Sequence, residues 1–362
     1  WKQSKDFIGE IEGFLAILED RLMEFKEIEF RGMTLTEEDL IQLFYYKFTE
    51  TPLLKRMDAV KDYFIDSWET LKGRNISEDD QEMLQMKFDK MYTTKDIYTI
   101  YNWMLDDCDC DLLPEVPYEK RKLPYEDVFP MLYLKYRLSG GNSTHKNIKH
   151  LVIDEMQDYT YLQYTILESL FHCRMTILGD RAQTLDTKQQ DVLRFLPKLL
   201  GREIRTIEIK KSYRNTLEIA RYAEKVSGVS DLELLDRHGK EVVEKTFNTD
   251  TELLDELVCH LKCPGDFETA ALITTTEEEA FDLSRLLKLR GINVSYVDRN
   301  SSAFKKGLTV TTFYLAKGLE FDQVFALRGA KENPLKNQAE YICATRALHE
   351  LYVYEIADSL AK

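Results

Sequence analysis

The stretch His150-Leu151-Val152-Ile153-Asp154-Glu155-Met156-Gln157-Asp158 decides how this chain is read. Its short apolar run has no helical spacing and reads as a strand packed inside a sheet. Two adjacent carboxylates follow at once, so they project from the C-terminal edge of the sheet, where α/β folds bind ligands. Two acids placed there can divide labour. One can hold a hydrated Mg2+ that bridges phosphate oxygens, while the next orients an attacking water. An isolated Asp-Glu pair is more often a solvated strand end; the Gln157 and Asp158 that follow favour the chemical reading.

Working outward, short apolar segments alternate with helical ones: Ile148–Ile153, Met175–Leu178, Ile204–Ile209, Ala270–Thr274, Val294–Val297, Leu308–Thr312 and Val324–Leu327. Such alternation predicts parallel α/β layers. A helix is expected over Tyr125–Leu138, then a flexible Ser139-Gly140-Gly141-Asn142-Ser143. Residues 1–113 read as almost entirely helical, with no competing strand pattern. Apolar residues recur at three and four spacing in Phe7-Ile8-Ile11-Phe14-Leu15-Leu18-Leu22-Phe25, in Leu40-Leu43-Phe44-Phe48 and in Met57-Val60-Phe64-Trp68-Leu71. Thr36 and Ser77, each followed by acidic residues, mark helix starts. An acidic break, Asp106-Asp107-Cys108-Asp109-Cys110-Asp111, and Pro114, Pro117 and Pro124 close this region. The division expected is a helical arm over 1–123, an α/β part over 124–202 and a second α/β domain over 203–362.

The chain of 362 residues has a net charge of −15. Residues 1–150 carry 30 acidic and 21 basic side chains, and the remainder 34 and 28. A protein that lives by phosphate contacts usually shows a basic surface, and an overall acidic field repels DNA rather than steering it in. Acidic charge also simply aids solubility, which is the commoner case. The six cysteines (Cys108, Cys110, Cys173, Cys259, Cys263, Cys343) show no paired zinc-ribbon spacing and read as reduced cytosolic thiols. No apolar run approaches the roughly 20 residues of a membrane span, and no signal peptide is visible. A soluble, cytoplasmic protein is expected, and the start at Trp1 reads as a truncation.

Four later segments bear chemistry. Gly179-Asp180-Arg181-Ala182-Gln183 follows the second strand, and the Gln183 amide could sense a terminal phosphate. In Lys210-Lys211-Ser212-Tyr213-Arg214-Asn215, Tyr213 could stack on a base, Arg214 could reach a γ-phosphate, and Asn215 could cap the next helix. A basic helix start with a core tyrosine explains that segment equally well. Thr309–Asp322 joins a threonine-rich strand to a Lys317-Gly318 turn and an acid. Glu340–Ala347 places Arg346 on a helix among apolar neighbours, where it needs an anionic partner: a nucleotide or a structural carboxylate.

In this order the five blocks resemble the later motifs of the UvrD-like superfamily 1 helicases. Asp154-Glu155-Met156-Gln157-Asp158 is similar to their Walker B motif and Gly179–Gln183 to the one after it. Ser212-Tyr213-Arg214, Lys317-Gly318-Leu319-Glu320-Phe321 and Ala344-Thr345-Arg346-Ala347 are similar to the remaining three. The likeness covers roughly residues 125–362. It implies a fold of RecA-like P-loop NTPase sheets, comprising the end of one such domain and a second one, with the helical region as an insertion. ATP and Mg2+ are implied as substrate and metal, and single-stranded DNA as partner. Asp154 would bind Mg2+, Glu155 would activate water, and Gln183 would couple the γ-phosphate to the nucleic-acid site. Tyr213 would pack on adenine, and Arg214 and Arg346 would act as arginine fingers. Glu320 would contact the ribose side, with Lys317 and Gly318 part of the same nucleotide-binding motif, and Thr311 and Thr312 would lie near the single strand.

The sequence departs from the family in two places. No Gly-x-x-x-x-Gly-Lys-Ser/Thr occurs; Gly239-Lys240 is followed by Glu241. The family places that phosphate-binding loop before Walker B, so the chain is expected to be the C-terminal part of a longer protein, inactive by itself. Phe313-Tyr314-Leu315 stands where many relatives carry a histidine. That segment, with Thr345–Tyr352, is closer to the bacterial HelD branch, whose members bind RNA polymerase and help release it from nucleic acid. Two functions therefore compete: a translocating helicase motor, and a polymerase-binding factor that uses the same ATPase.

Overall fold

A computed structural model of the chain describes residues 1–141, 147–185, 192–201, 204–228, 233–262, 267–301, 306–328 and 334–357. Asn142 and Ser143 of the expected flexible segment, and Cys263, lie outside them. The chain divides into two compact units. One comprises Trp1–Ile153, Tyr159–Ile177 and Val192–Arg202; the other comprises Asp154–Asp158, Leu178–Asp191 and Glu203–Lys362.

The first unit is mainly helical. Its helices are α1 (Lys5–Leu22), α2 (Glu37–Gln42), α3 (Leu53–Lys72), α4 (Glu78–Asp89), α5 (Ile97–Asp107), α6 (Tyr125–Ser139), α7 (Tyr161–Leu170) and α8 (Val192–Leu199). Thr36 and Ser77 accept from the backbone N–H three residues on, so both expected starts are capped as read. The stripe Met57-Val60-Phe64-Trp68 lies in one core with Phe7, Ile11, Leu18, Phe88 and Tyr101, whereas Leu71, at the end of the expected stripe, is exposed. Each such side chain contributes roughly 1.5–3 kcal/mol of burial. The expectation of helix alone fails at one place: β1 (Ile28–Phe30) pairs antiparallel with β2 (Met33–Leu35). Arg31 and Gly32 both take positive φ, 48° and 78°, which is the twist a two-residue hairpin needs. The same unit holds β3 (His150–Ile153), parallel to β4 (Arg174–Ile177).

The second unit is α/β, as the alternation predicted. Among the described residues a six-stranded parallel sheet runs in the order β7-β12-β11-β8-β10-β9. Its strands are β7 (Val243–Phe247), β8 (Thr269–Thr274), β9 (Ser295–Tyr296), β10 (Gly307–Thr312), β11 (Phe321–Arg328) and β12 (Ala347–Ile356). Both faces are covered, as parallel sheets require. Ala271, Ile273, Val324, Ala326, Leu351 and Val353 pack on one side with α9 (Leu217–Ser227) and α12 (Lys336–Arg346). The alternate residues Leu272, Val310, Phe325, Tyr352 and Tyr354 pack on the other, with α10 (Asp250–Lys262) and α11 (Glu277–Leu289).

The structure departs from expectation at one strand and at one helix end. Ile204–Ile209 forms no strand, and Ile207 and Ile209 are 70% and 78% exposed, because nothing among the described residues flanks them. Pairing starts instead at β5 (Lys211–Ser212), parallel to β6 (Glu233–Leu234). Nor does the helix bearing Arg346 run on: it ends at that residue, and Ala347 opens β12.

Candidate functional site

The chain leaves β3 at Ile153 and enters a turn carrying four polar side chains. Glu155 has φ +53°, a left-handed conformation uncommon outside glycine and concentrated at functional sites. The Asp154 carboxylate accepts the Glu155 N–H at 2.8 Å, and the turn over Met156–Asp158 closes when the Asp158 N–H donates to the Glu155 carbonyl. A neighbouring loop is fastened to it. The Met156 N–H donates to the Leu178 carbonyl at 2.8 Å, and a Cβ on Gly179 would stand 2.7 Å from the Met156 nitrogen. Only glycine allows that approach. Buried Gln157 bolts the two loops together: its amide N–H donates to Glu155 at 2.6 Å, and its carbonyl oxygen accepts the Asp180 N–H at 3.0 Å.

Asp180 is the hub of the second loop. Its carboxylate accepts the Ala182 N–H at 3.0 Å, the Gln183 amide N–H at 2.9 Å and the Tyr341 hydroxyl at 2.8 Å. Burial, then the Asp180 charge, pushes the Tyr341 hydroxyl well above the usual range, so it stays a donor. Gln183 is buried, and its carbonyl oxygen accepts from Arg346 at 3.2 Å.

Arg346 is 3% exposed. Its guanidinium donates to the Gln183 side chain, to the Leu319 carbonyl at 3.2 Å and to the Thr345 hydroxyl at 3.1 Å. Among the described residues no carboxylate accepts a hydrogen bond from it, and its Nε has no partner. Burial above all, and then repulsion from Arg214, lowers its pKa, while Glu155 and Glu320 oppose that shift. A desolvated cation with only neutral hydrogen-bond acceptors and an idle donor is a group that a bound anion would stabilise.

Lys317, its side chain 7% exposed, brings its ammonium 3.2 Å from Glu155 and 2.5 Å from Asp158. The next residue, Gly318, has φ +82°, which a side chain would strain. Arg214 pairs with Glu320 at 2.5 Å, both about half exposed.

Of the residues picked from sequence, Glu155, Gln183, Arg346, Lys317 and Gly318, together with the Arg214–Glu320 pair, therefore gather in the second unit. Tyr213 is exposed and Asp154 stands in solvent. Thr311 and Thr312 lie inside the sheet: the Thr311 hydroxyl donates to the Val297 carbonyl at 3.1 Å, and the Thr312 hydroxyl has no partner among the described residues. Asn215 is not the expected cap; Thr216 holds the N-cap position of α9. Asp180, Tyr341 and Asp158 stand within the motifs, but their types and spacing alone assign them no task. A carboxylate following a glycine at a strand end was the available signal.

Among the described residues no cluster of three or more His, Cys, Asp or Glu could cage a metal. Mg2+ needs no such cage: it keeps several waters and takes one or two carboxylates plus phosphate oxygens. Asp154, exposed and with one oxygen committed to the Glu155 N–H, fits that role.

No protein-family model matches the chain, and no curated protein does. Solved structures similar to it include the C-terminal domain of a possible DNA helicase from Lactobacillus plantarum WCFS1, at 25% identity over 40% of this chain and 88% of that one, with a TM-score of 0.33. The PRRSV helicase is 16% identical over 73% of this chain and 46% of its own, with a TM-score of 0.35. An arterivirus nonstructural protein 10 (helicase), in complex with DNA, is 17% identical over 33% and 29%, with a TM-score of 0.25. The chain thus spans less than half of each viral chain. No helix of the described residues is long and apolar enough to cross a membrane.

Proposed function

We propose that this chain is the Walker-B-to-C-terminal part of an ATP-dependent superfamily 1 helicase-type motor of the UvrD-like kind, in the HelD branch, coupling ATP hydrolysis to movement on nucleic acid. The observation that carries the reading is Arg346, buried, without a carboxylate partner and bonded to the Gln183 amide. A buried guanidinium left in that state suits the anionic oxygens of a γ-phosphoryl group as it passes from ADP to water. In this reading Arg346 and Arg214 stabilise the transferring γ-phosphoryl group and Gln183 reports its presence. Glu155 orients the attacking water; Asp154 holds the hydrated Mg2+, which would neutralise charge on the phosphate oxygens. Lys317, now held by Glu155 and Asp158, keeps the base paired until nucleotide competes for it. Tyr213 and Glu320 would meet the adenine and ribose. Thr311 and Thr312, being buried, would shape the sheet beneath a nucleic-acid path rather than offer hydroxyls to it.

Residues 1–123 would form a helical arm, 124–202 the end of one RecA-like domain and 203–362 a second, in a cytoplasmic, bacterial-type protein acting on single-stranded DNA. No Gly-x-x-x-x-Gly-Lys-Ser/Thr stands in the 362 residues, so the activity proposed is that of the whole protein. There, Glu155→Gln should abolish ATP hydrolysis and spare ATP binding; unchanged turnover would remove the assignment.

A second reading, an RNA-polymerase-binding recycling factor running the same ATPase without productive unwinding, is favoured by the excess of 30 acidic over 21 basic side chains in residues 1–150. Its test is capture of core RNA polymerase by the whole protein, which deletion of residues 1–113 should abolish and which would count against it if unaltered.

A further inference from the structure

Asn215 precedes the N-cap Thr216, yet its side chain turns away from α9. Its amide N–H groups donate to the Ala347 carbonyl at 2.6 Å and the Ala344 carbonyl at 3.3 Å. Those carbonyls flank Thr345-Arg346, the last two residues of α12. Helix-end carbonyls lack intrahelical donors and are usually satisfied by a glycine-type closure. A left-handed closure is absent here, because Ala347 takes extended φ and ψ of −84° and 122° to enter β12 at once, although its N–H still donates to the Ala344 carbonyl. The residue before Asn215 is Arg214, whose own carbonyl accepts from Arg237 at 3.0 Å and whose guanidinium pairs with Glu320. One residue before Glu320, the Leu319 carbonyl accepts from Arg346. The turn bearing Arg214 and the helix end bearing Arg346 are thus joined at a single carboxamide.

We infer that Asn215 is a positioning residue, which fixes the two guanidiniums of Arg214 and Arg346 relative to each other so that they meet one phosphate together. The inference rests on the ATPase reading of this site. Asparagine suits the task because its amide supplies two N–H groups on a short, stiff arm, one to the Ala347 carbonyl and a second, longer bond to the Ala344 carbonyl, which also accepts the Ala347 N–H. A misplacement of about 1 Å remote from the reacting atoms can cost about a hundredfold in rate, so loss of the clamp shows in turnover before it shows in nucleotide affinity.

The test uses the whole protein, nucleic-acid-stimulated ATP turnover and binding of a fluorescent ATP analogue. Asn215→Asp preserves shape but sets an oxygen against two carbonyl oxygens. It should lower kcat at least about tenfold and change KM for ATP by less than about threefold. Asn215→Gln, which keeps the amide, should recover part of that loss. In an Arg346→Lys background the same Asn215→Asp change should cost less than about twofold, since residues acting as a unit are not additive. Wild-type kcat in Asn215→Asp, or losses that multiply across the two positions, would overturn the clamp. So would equal losses of ATP binding and of melting temperature, which mark a mere helix-end cap. Wild-type turnover in Arg346→Ala is a different outcome, one that removes the ATPase reading itself.

Discussion

Replacing Arg346 with methionine should separate stability from activity in the whole protein. Arg346 is 3% exposed, and the three hydrogen bonds of its guanidinium, at 3.1–3.2 Å, all go to neutral acceptors. Taking a charge out of water costs several kcal/mol, and neutral acceptors at that length return only part of it. Exchanging buried ions for apolar groups of similar volume is often neutral, or stabilising by about 1–4 kcal/mol. The net expected here, after loss of the hydrogen bonds, is within about 2 kcal/mol of zero, or less than about 8 °C in melting temperature for a domain of this size. Turnover, by contrast, should fall by about 10³-fold or more, the range for an arginine finger. A non-hydrolysable ATP analogue at about 100 times its Kd should stabilise the unsubstituted protein by about 2.7 kcal/mol. The variant should gain measurably less at the same concentration. Thermal melting with and without the analogue, beside steady-state ATP turnover, reads all three. A drop of more than about 15 °C in the variant without nucleotide would mean that the guanidinium is a structural ion. A loss of turnover below tenfold would mean that it never meets the phosphate.

Two further substitutions probe the surroundings. Gly179→Ala puts a Cβ 2.7 Å from the Met156 nitrogen, so the two loops must part; a cost of about 1–3 kcal/mol is expected in urea melts, with turnover falling too, and an unchanged midpoint would show the contact to be slack. His238 bonds to Glu218 at 2.9 Å, which raises the imidazole above its ordinary 6.5 and drives Glu218 from 4.5 to about 2. The raised histidine stabilises fully below 6.5 and loses its effect as pH climbs through its folded value. The depressed glutamate stabilises above 4.5 and loses its effect as pH falls towards 2. His238→Ala should therefore lower the melting temperature at pH 5.5 but not at pH 8.5, and an equal loss at both would rule out the ion pair as the cause.

Local pattern was enough to predict much of this molecule. The spacing of Met57, Val60, Phe64 and Trp68 specified a buried helical stripe, and the apolar runs at 270–274 and 308–312 specified strands covered on both faces. Glu155, Gln183, Lys317 and Arg346 could be picked by type and place at element ends, because the chemistry they suit needs those groups at a sheet edge. The hairpin at 28–35 escaped because three-residue strands carry too little periodicity to compete with neighbouring helices. Ile204–Ile209 reads as a strand yet pairs with nothing described, since a strand's identity lies in its neighbours as much as in its own residues. Only the tertiary structure decided who touches whom. Lys317 reaches Glu155 and Asp158, Tyr341 reaches Asp180, and Asn215 reaches past its own helix to Ala344 and Ala347. Those pairings span more than a hundred residues of chain, and no local propensity encodes a contact that exists only once the sheet has set its strand order.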